Sequence, residues 1–258
     1  MLYLTGDTHG DFRRFSKKNS FRKDNIFNAE DYIIVLGDFG LLWADDKEFR
    51  YHLKWLSQLP FKILFVGGNH ENYNMIYEYP ISWWNGGKVR HIIKDRIIYL
   101  ERGQVYEIEG KRIFAFSGAS SHDIAGGILD REDPEFKIKK KQANRDYLPY
   151  RILNESWWQQ ELPSQEEMEE GRNNLEKMNY QVDYVLTHCI SSSLQDKVDT
   201  RKGADCLTDY FEDIEERLSY QRWYCGHYHM NRNVDEKHTI LYKEIIPIGE
   251  ISSQKEWY

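Results

Sequence analysis

Tyr32-Ile33-Ile34-Val35-Leu36-Gly37-Asp38 reads as a buried strand that runs out on a glycine and a carboxylate. A short, largely β-branched apolar run of this kind suits a strand covered on both faces, as in a parallel sheet. A carboxylate at its tip is costly to bury unless a cation or hydrogen-bond donors meet it. The outline recurs along the chain. Leu2-Tyr3-Leu4 precedes Asp7-Thr8-His9, and Lys62-Ile63-Leu64-Phe65-Val66 precedes Asn69-His70-Glu71. Val182-Asp183-Tyr184-Val185-Leu186 precedes Thr187-His188, and Trp223-Tyr224-Cys225 precedes Gly226-His227-Tyr228-His229. In open α/β sheets, ligands gather beyond the carboxyl ends of the strands, so these five peptides are expected to converge although they span the chain.

The segments between the runs set the fold class, α/β. Phe49, Leu53, Leu56 and Leu59 recur at helical spacing between the second and third runs, which gives residues 1 to about 120 a βαβ grammar. From Lys88 to Ser117 the pattern changes to short β-rich stretches and predicts a second, partly antiparallel sheet, with Glu109-Gly110-Lys111 as a hairpin turn. Residues 119–163 are the least regular and read as a cap or insertion, with the basic run Lys137, Lys139, Lys140 and Lys141 on a solvated face. Ser164-Gln165-Glu166-Glu167 fits a capping box that opens a helix carrying Met168, Leu175 and Met178, with Gly171 its weak point. Phe211, Ile214 and Leu218 mark one more amphipathic helix.

The 258 residues suit one domain with an elaboration, read as 1–258 with the cap at about 119–163. No apolar stretch approaches the ~18 residues of a membrane span, and the first strand begins too early to leave room for a cleavable signal, so the cytoplasm is the expected location. Cys189, Cys206 and Cys225 have no paired spacing and read as small buried side chains in a reducing compartment. A net charge of −7 disfavours capture of long nucleic acid by the whole surface and leaves a small phosphorylated substrate as the expected partner.

Asp7 and His9 lie two apart, so on an extended strand end they would share a face, and His227 and His229 repeat that spacing. Either pair alone also fits a polar turn. Asn69 adds a neutral amide oxygen after Gly67 and Gly68, and His188 adds a further ring. Mixed nitrogen and oxygen donors suit manganese, iron, zinc or nickel better than calcium or magnesium.

The blocks D-x-H, G-D, G-N-H-[DE], a lone His and G-H-x-H occur here in that order, at residues 7–9, 37–38, 68–71, 188 and 226–229. Over most of the chain this resembles the calcineurin-like metallophosphoesterase superfamily. The resemblance implies a two-sheet mixed β-sandwich flanked by helices, in four layers α/β/β/α, around a dinuclear centre. It implies that Asp7, His9, Asp38 and His229 hold one ion and that Asp38, Asn69, His188 and His227 hold the other, with Asp38 shared. The cofactors would be two divalent or mixed-valence transition metal ions, manganese in vitro, with iron, zinc or nickel as alternatives. The implied chemistry is hydrolysis of a phosphodiester or phosphomonoester, nucleotide-type included, by in-line attack of a hydroxide bridging the ions. His70 would be the general acid, with Glu71 orienting its ring, and Asn69 would also contact the phosphate. A protein phosphatase, a nuclease, or a scaffold that binds metal without catalysis are the alternatives. All eight block positions carry competent side chains, which speaks against the scaffold.

Some members continue the second block as G-D-x-x-D-R-G, whereas this chain reads Gly37-Asp38-Phe39-Gly40-Leu41-Leu42-Trp43 and lacks the phosphate-binding arginine there. Residues 117–123 and 151–164 resemble a bacterial and phage-associated subgroup with a G-G-A-x-S-x-D loop and an S-W-W-x-x-E-x-P-S segment. Arg151 could supply the missing cation, or pair with Glu155 or Asp146 on the surface. Trp157 and Trp158 could stack a base, but adjacent tryptophans are the more natural anchors of a cap on the core. His52, His91, His122 and His238 receive no role.

Overall fold

Strand alternation builds the molecule, seen here in a computed structural model that describes residues 1–200 and 202–254. The chain runs β1 (Leu2–Thr5), α1 (Ser20–Asp24), β2 (Tyr32–Leu36), α2 (Lys47–Ser57), β3 (Lys62–Val66) and α3 (Tyr73–Tyr77). It continues through β4 (Ile81–Trp84), β5 (Gly87–Ile93), β6 (Ile97–Leu100), β7 (Gln104–Ile108) and β8 (Lys111–Phe116). Then come β9 (Ile128–Leu129), α4 (Phe136–Arg145), β10 (Arg151–Ile152), α5 (Gln165–Lys177), β11 (Tyr184–Thr187), α6 (Ser192–Val198) and α7 (Cys206–Glu215). The described chain closes with β12 (Arg222–Cys225), β13 (Arg232–Asn233), β14 (His238–Ile240) and β15 (Ile245–Pro247).

Two large sheets result. The first has the order β15-β1-β2-β3-β6-β5-β4, with β1, β2, β3 and β6 parallel. The second has the order β13-β14-β12-β11-β8-β7, with β14, β12, β11 and β8 parallel. Period-two geometry sorts each strand's side chains between layers. On β2, Ile34 and Leu36 face the inter-sheet core with Leu64 and Val66 of β3 and with Ala115 and Leu186 of the second sheet. Ile33, Val35, Ile63 and Phe65 face the opposite way, under α2 and α3. Phe114, Phe116 and Val185 turn outward beneath α5 and α7. This is the four-layer α/β/β/α sandwich expected from the resemblance. Because β1, β2, β3, β11 and β12 are each parallel within their sheet, their carboxyl ends share one rim.

The division of strands differs from expectation in one respect. Residues of β5 and β6 do not join the second sheet: Ile97 and Ile98 pair in parallel with Ile63 and Leu64, which carries the 87–100 hairpin onto the first. Periodicity tells which face a residue occupies but not which sheet receives it. The predicted turn tightens to the two residues Glu109 and Gly110, both at positive φ (50° and 71°), between paired Ile108 and Lys111, as a type I′ hairpin requires. The capping box forms as read, Ser164 and Glu167 exchanging side-chain and backbone bonds at the start of α5. Gly171 sits inside that helix because a Cβ there would collide with Tyr210 Oη and press on Gly103 Cα. Leu59, Met178 and Leu218 lie just beyond the ends of α2, α5 and α7. Cys189 and Cys225 are buried, whereas Cys206, opening α7, is exposed.

Segment 119–163 contains α4 and a two-stranded parallel ribbon of β9 and β10. The lysine run lies on α4, whose only buried side chain is Ala143. Trp158, 1% exposed, fixes the segment to the outer core of the first sheet, edge-on to Trp43 at 5.1 Å. No helix among the described residues is long and apolar enough to cross a membrane.

Candidate metal centre

At the shared rim the two sheets are stitched by hydrogen bonds that fix the five peptides against each other. Gly118 N–H donates to Gly67 O (2.8 Å) and Gly226 N–H to His188 O (3.0 Å). His188 Nδ1–H donates to Leu36 O (2.7 Å), which fixes the ring with Nε2 turned toward Asp38 Oδ1, 3.4 Å away. Arg14 clamps the loop after β1 by donating to Asp7 O (2.6 Å) and Tyr242 O (2.6 Å). Asp38 Oδ1 accepts from His70 N–H (2.7 Å), and Asp7 Oδ1 accepts from His227 N–H (2.9 Å). Each carboxylate is thus held by one oxygen.

The peptides adopt a backbone that ordinary residues avoid. His9, Asp38, His227 and His229 have φ of 45°, 46°, 68° and 50°, left-handed values that cost about 1 kcal/mol or more each for a residue with a Cβ. Strain gathered on four candidate ligands marks a site whose surroundings over-determine it. Gly68 is required for the same close approach, since a Cβ there would overlap Asp38 Oδ1 and crowd His188 Nε2.

All seven residues expected to hold metal come to this rim. Asp7, His9 and His229 form one group of converging donor atoms, and Asp7, Asp38 and His188 form another. His9 Nε2 and His229 Nε2 face each other at 2.9 Å, with Asp7 Oδ2 3.2 Å from the latter, and His9 Nε2 lies 3.7 Å from Asp38 Oδ2. The His188 and His227 rings are 5.0 Å apart between centroids. Asp7 Oδ2, Asn69 Oδ1 and His188 Nε2 are buried and lack any hydrogen-bond partner. Buried lone pairs without donors are costly, and those of Asp7 and His188 converge with Asp38, Asp7 also meeting the two facing imidazole nitrogens of His9 and His229. A pair of cations is the group that such a donor set fits.

The electrostatics agree in direction. Burial alone would raise the Asp38 carboxyl, yet the surrounding His188, His70 and His9 rings hold it below the ordinary carboxylate range. Burial opposes protonation of His188, but Asp38 and Asp7 outweigh it and push the ring up to about 9. Burial lowers His70, opposed by Asp38 and assisted by Arg151. The buried Asp38 carboxylate is therefore stabilised by positive charge from the imidazole rings around it.

Several side chains around the ligands were not singled out by sequence reasoning. Asn69 Nδ2 donates to Ser121 Oγ (3.3 Å), and Ser121 in turn donates to buried Glu161 through Oγ (2.6 Å) and N–H (2.9 Å). That chain orients the amide so that Oδ1 faces the rim, and both of its supports come from the 119–163 segment. The subgroup resemblance contained Ser121 and Glu161 but gave no reason for them. Beside the ligands lies a cleft of about 360 Å³ lined by Asp38, Asn69, His70, His122, Asp123 and Lys202, among others. His70 lines this cleft with its ring 5.4 Å from that of His9.

Two expectations need correcting. Glu71 does not orient His70: it is fully buried, and its Oε1 accepts from Phe39 N–H (2.6 Å), bracing the turn that carries Asp38. Arg151 pairs with neither Glu155 nor Asp146, which are engaged by Arg131 and Arg145. Its guanidinium donates through Nε and Nη2 to Asp123 (Nε to Oδ1 3.0 Å), a residue that lines the cleft described above.

Among solved structures, a phosphopantetheinyl hydrolase from Mycobacterium tuberculosis is similar over 93% of this chain and 87% of that chain, with 15% identity and a TM-score of 0.42. No curated protein is matched. The family model for calcineurin-like phosphoesterases matches residues 2–231, nearly the whole chain, and covers all five peptides of the rim. The chain therefore belongs to the calcineurin-like phosphoesterase family, whose members depend on a dinuclear metal centre.

Proposed function

We propose that the protein hydrolyses a phosphomonoester or phosphodiester of a small molecule, nucleotide-type compounds included, with His70 as the proton donor. The observation that carries this reading is the set of orphaned buried lone pairs on Asp7, Asn69 and His188 beside the facing nitrogens of His9 and His229. On this reading Asp7, His9, Asp38 and His229 hold one ion, and Asp38, Asn69, His188 and His227 hold the other. Two such ions supply Lewis-acid charge, acidifying water and offsetting charge on the phosphate oxygens during an in-line displacement. Manganese is the ion to try first, with iron, zinc and nickel as alternatives.

The protein's own part is placement and proton transfer. His70, which lines the cleft, gives a ring proton to the departing ester oxygen, so that the leaving group departs as an alcohol or phenol. Asn69 touches the phosphate with an amide that Ser121 and Glu161 keep in one orientation. Glu71 fixes the Asp38 turn through Phe39, and Arg151, held beside the cleft by Asp123, is a second candidate contact for the phosphate. The chain acts as one domain whose 119–163 segment caps the cleft.

The test is hydrolysis of p-nitrophenyl phosphate and bis-p-nitrophenyl phosphate with manganese, against phosphate release from a phosphopeptide. Turnover of a small ester that a chelator abolishes is the expected result. Turnover that ignores the chelator, or activity on the phosphopeptide alone, overturns the reading. Binding of a short oligonucleotide is expected to be weak, and a tight, steeply salt-dependent complex would favour a nuclease instead.

A further inference from the structure

The cleft contains one basic side chain that the reading above leaves without a task. Lys202, in the connector between α6 and α7, lines the same wall-to-wall space as Asp38, Asn69 and His70. Its Nζ lies 2.6 Å from His227 Nε2 and 4.9 Å from the centre of the Tyr228 ring. The position is built rather than incidental. Buried Gln195 donates through Nε2 to Lys202 O (3.3 Å) and Gly203 O (2.9 Å), and its Oε1 accepts from Tyr228 O–H (2.9 Å). The lysine backbone is therefore anchored to the residue that directly follows the candidate ligand His227.

Charge bookkeeping in the cleft gives Lys202 a purpose. Asp123 is answered by Arg151, Asp199 also lines the cleft close to Lys202, and Asp7 and Asp38 are the carboxylates that cations at the rim would answer. An ion and an ammonium group cannot both take the lone pair of His227 Nε2, so in the loaded protein the Lys202 charge belongs to the cleft, where the substrate enters.

We propose that Lys202 binds the substrate's phosphoryl group from beside the His227 end of the ligand set, and that it selects a terminal phosphate, a phosphomonoester dianion, over a diester. The inference rests on the proposed function and adds the substrate class. A monoester presents one more anionic oxygen than a diester, and a diester places an esterified oxygen where that charge would be met. A strongly hydrated point charge such as an ammonium group gains most from the dianion.

The experiment titrates inorganic phosphate by calorimetry into manganese-loaded wild type, Lys202→Met and Lys202→Arg, and compares kinetics on p-nitrophenyl phosphate and bis-p-nitrophenyl phosphate. Lys202→Met is expected to weaken phosphate binding and raise KM for the monoester by about 10- to 100-fold, the contribution of one hydrogen bond to a charged group. Its kcat/KM on the diester is expected to change by less than about threefold, with manganese content unchanged and Lys202→Arg partly restoring phosphate affinity. Unchanged phosphate affinity, equal losses on both esters, or loss of manganese from Lys202→Met overturns the inference. Failure of the parent reading is distinct, because it appears in the wild type as absent metal binding or turnover.

Discussion

Two clusters of buried histidine and carboxylate sit at the second sheet, and their difference separates architecture from function. Around His238 every ring nitrogen is satisfied: Nδ1 meets Asp235 at 2.8 Å, and Nε2 meets Tyr220 Oη at 2.9 Å and Glu215 Oε1 at 3.0 Å. At the rim His188 Nε2, Asp7 Oδ2 and Asn69 Oδ1 make no well-aligned hydrogen bond, and the first two meet only other candidate ligands, Asp38 Oδ1 at 3.4 Å and His229 Nε2 at 3.2 Å. The residue types are nearly the same. The His238 cluster closes on itself and ties β14 to α7, while the rim cluster leaves the lone pairs of Asp7 and His188 converging with Asp38. A satisfied network holds a fold together, and an unsatisfied one needs a ligand.

The sharpest way to break this contrast is His70→Ala. It is expected to lower kcat by about 10²–10⁴-fold while the protein keeps its metal content, since His70 donates a proton without being needed as a ligand. Loss of metal in that variant would move His70 into the coordination set. Ser121→Ala should act more mildly, through Asn69, with about 10- to 100-fold lost in metal affinity or activity, as for other groups that orient metal ligands. Its measure is a manganese titration beside the kinetics, and an unchanged affinity with unchanged turnover would sever the Glu161–Ser121–Asn69 chain from function.

The smallest effect on activity belongs to His238→Gln, which should leave turnover at the wild-type level and cost about 1–3 kcal/mol of stability through the broken network. The pH dependence has a definite sign. Burial opposes the charge on His238, but Glu215 and Asp235 raise its pKa in the folded state. The stability it contributes is therefore complete below the unfolded value of about 6.5 and fades as pH rises through the folded value. Glu215 and Asp235 are lowered despite burial, chiefly by His238 and, for Asp235, backbone N–H groups, so their contribution fades as pH falls. The cluster stabilises most between those limits, at mildly acidic pH. In metal-free protein the wild-type advantage in Tm over His238→Gln should shrink as pH rises above about 6.5, and an advantage that grows with pH there would contradict the assignment.

The rim was legible in sequence because chemistry restricts it to a few residue types placed directly after strands. Asp38, His188 and the two D-x-H and H-x-H pairs could be read as soon as the runs before them were taken as parallel strands. What supports the ligands was not legible, since Ser121, Glu161 and Arg14 reach them from positions whose contacts no local pattern encodes. The left-handed backbone of His9, Asp38, His227 and His229 is equally silent in sequence, because none of these is a glycine. Glu71 looked like a partner of His70 through adjacency alone, but consecutive side chains diverge, and its carboxylate turns back to Phe39. Lys202 gave no signal at all, lying in a short charged connector that resembles any solvated loop. The sheet membership of β5 and β6 was open for a related reason, as alternation fixes faces and leaves pairing to the tertiary fold.

The central claim is that the unpartnered rim atoms hold a pair of cations, and the direct measurement is metal content per chain after reconstitution with manganese and removal of excess, for wild type and Asp38→Ala. Two ions per chain in the wild type, and fewer than two in Asp38→Ala, which loses the shared ligand, is the expected result. A wild type that retains no metal, or an Asp38→Ala variant that retains the full pair, would contradict it.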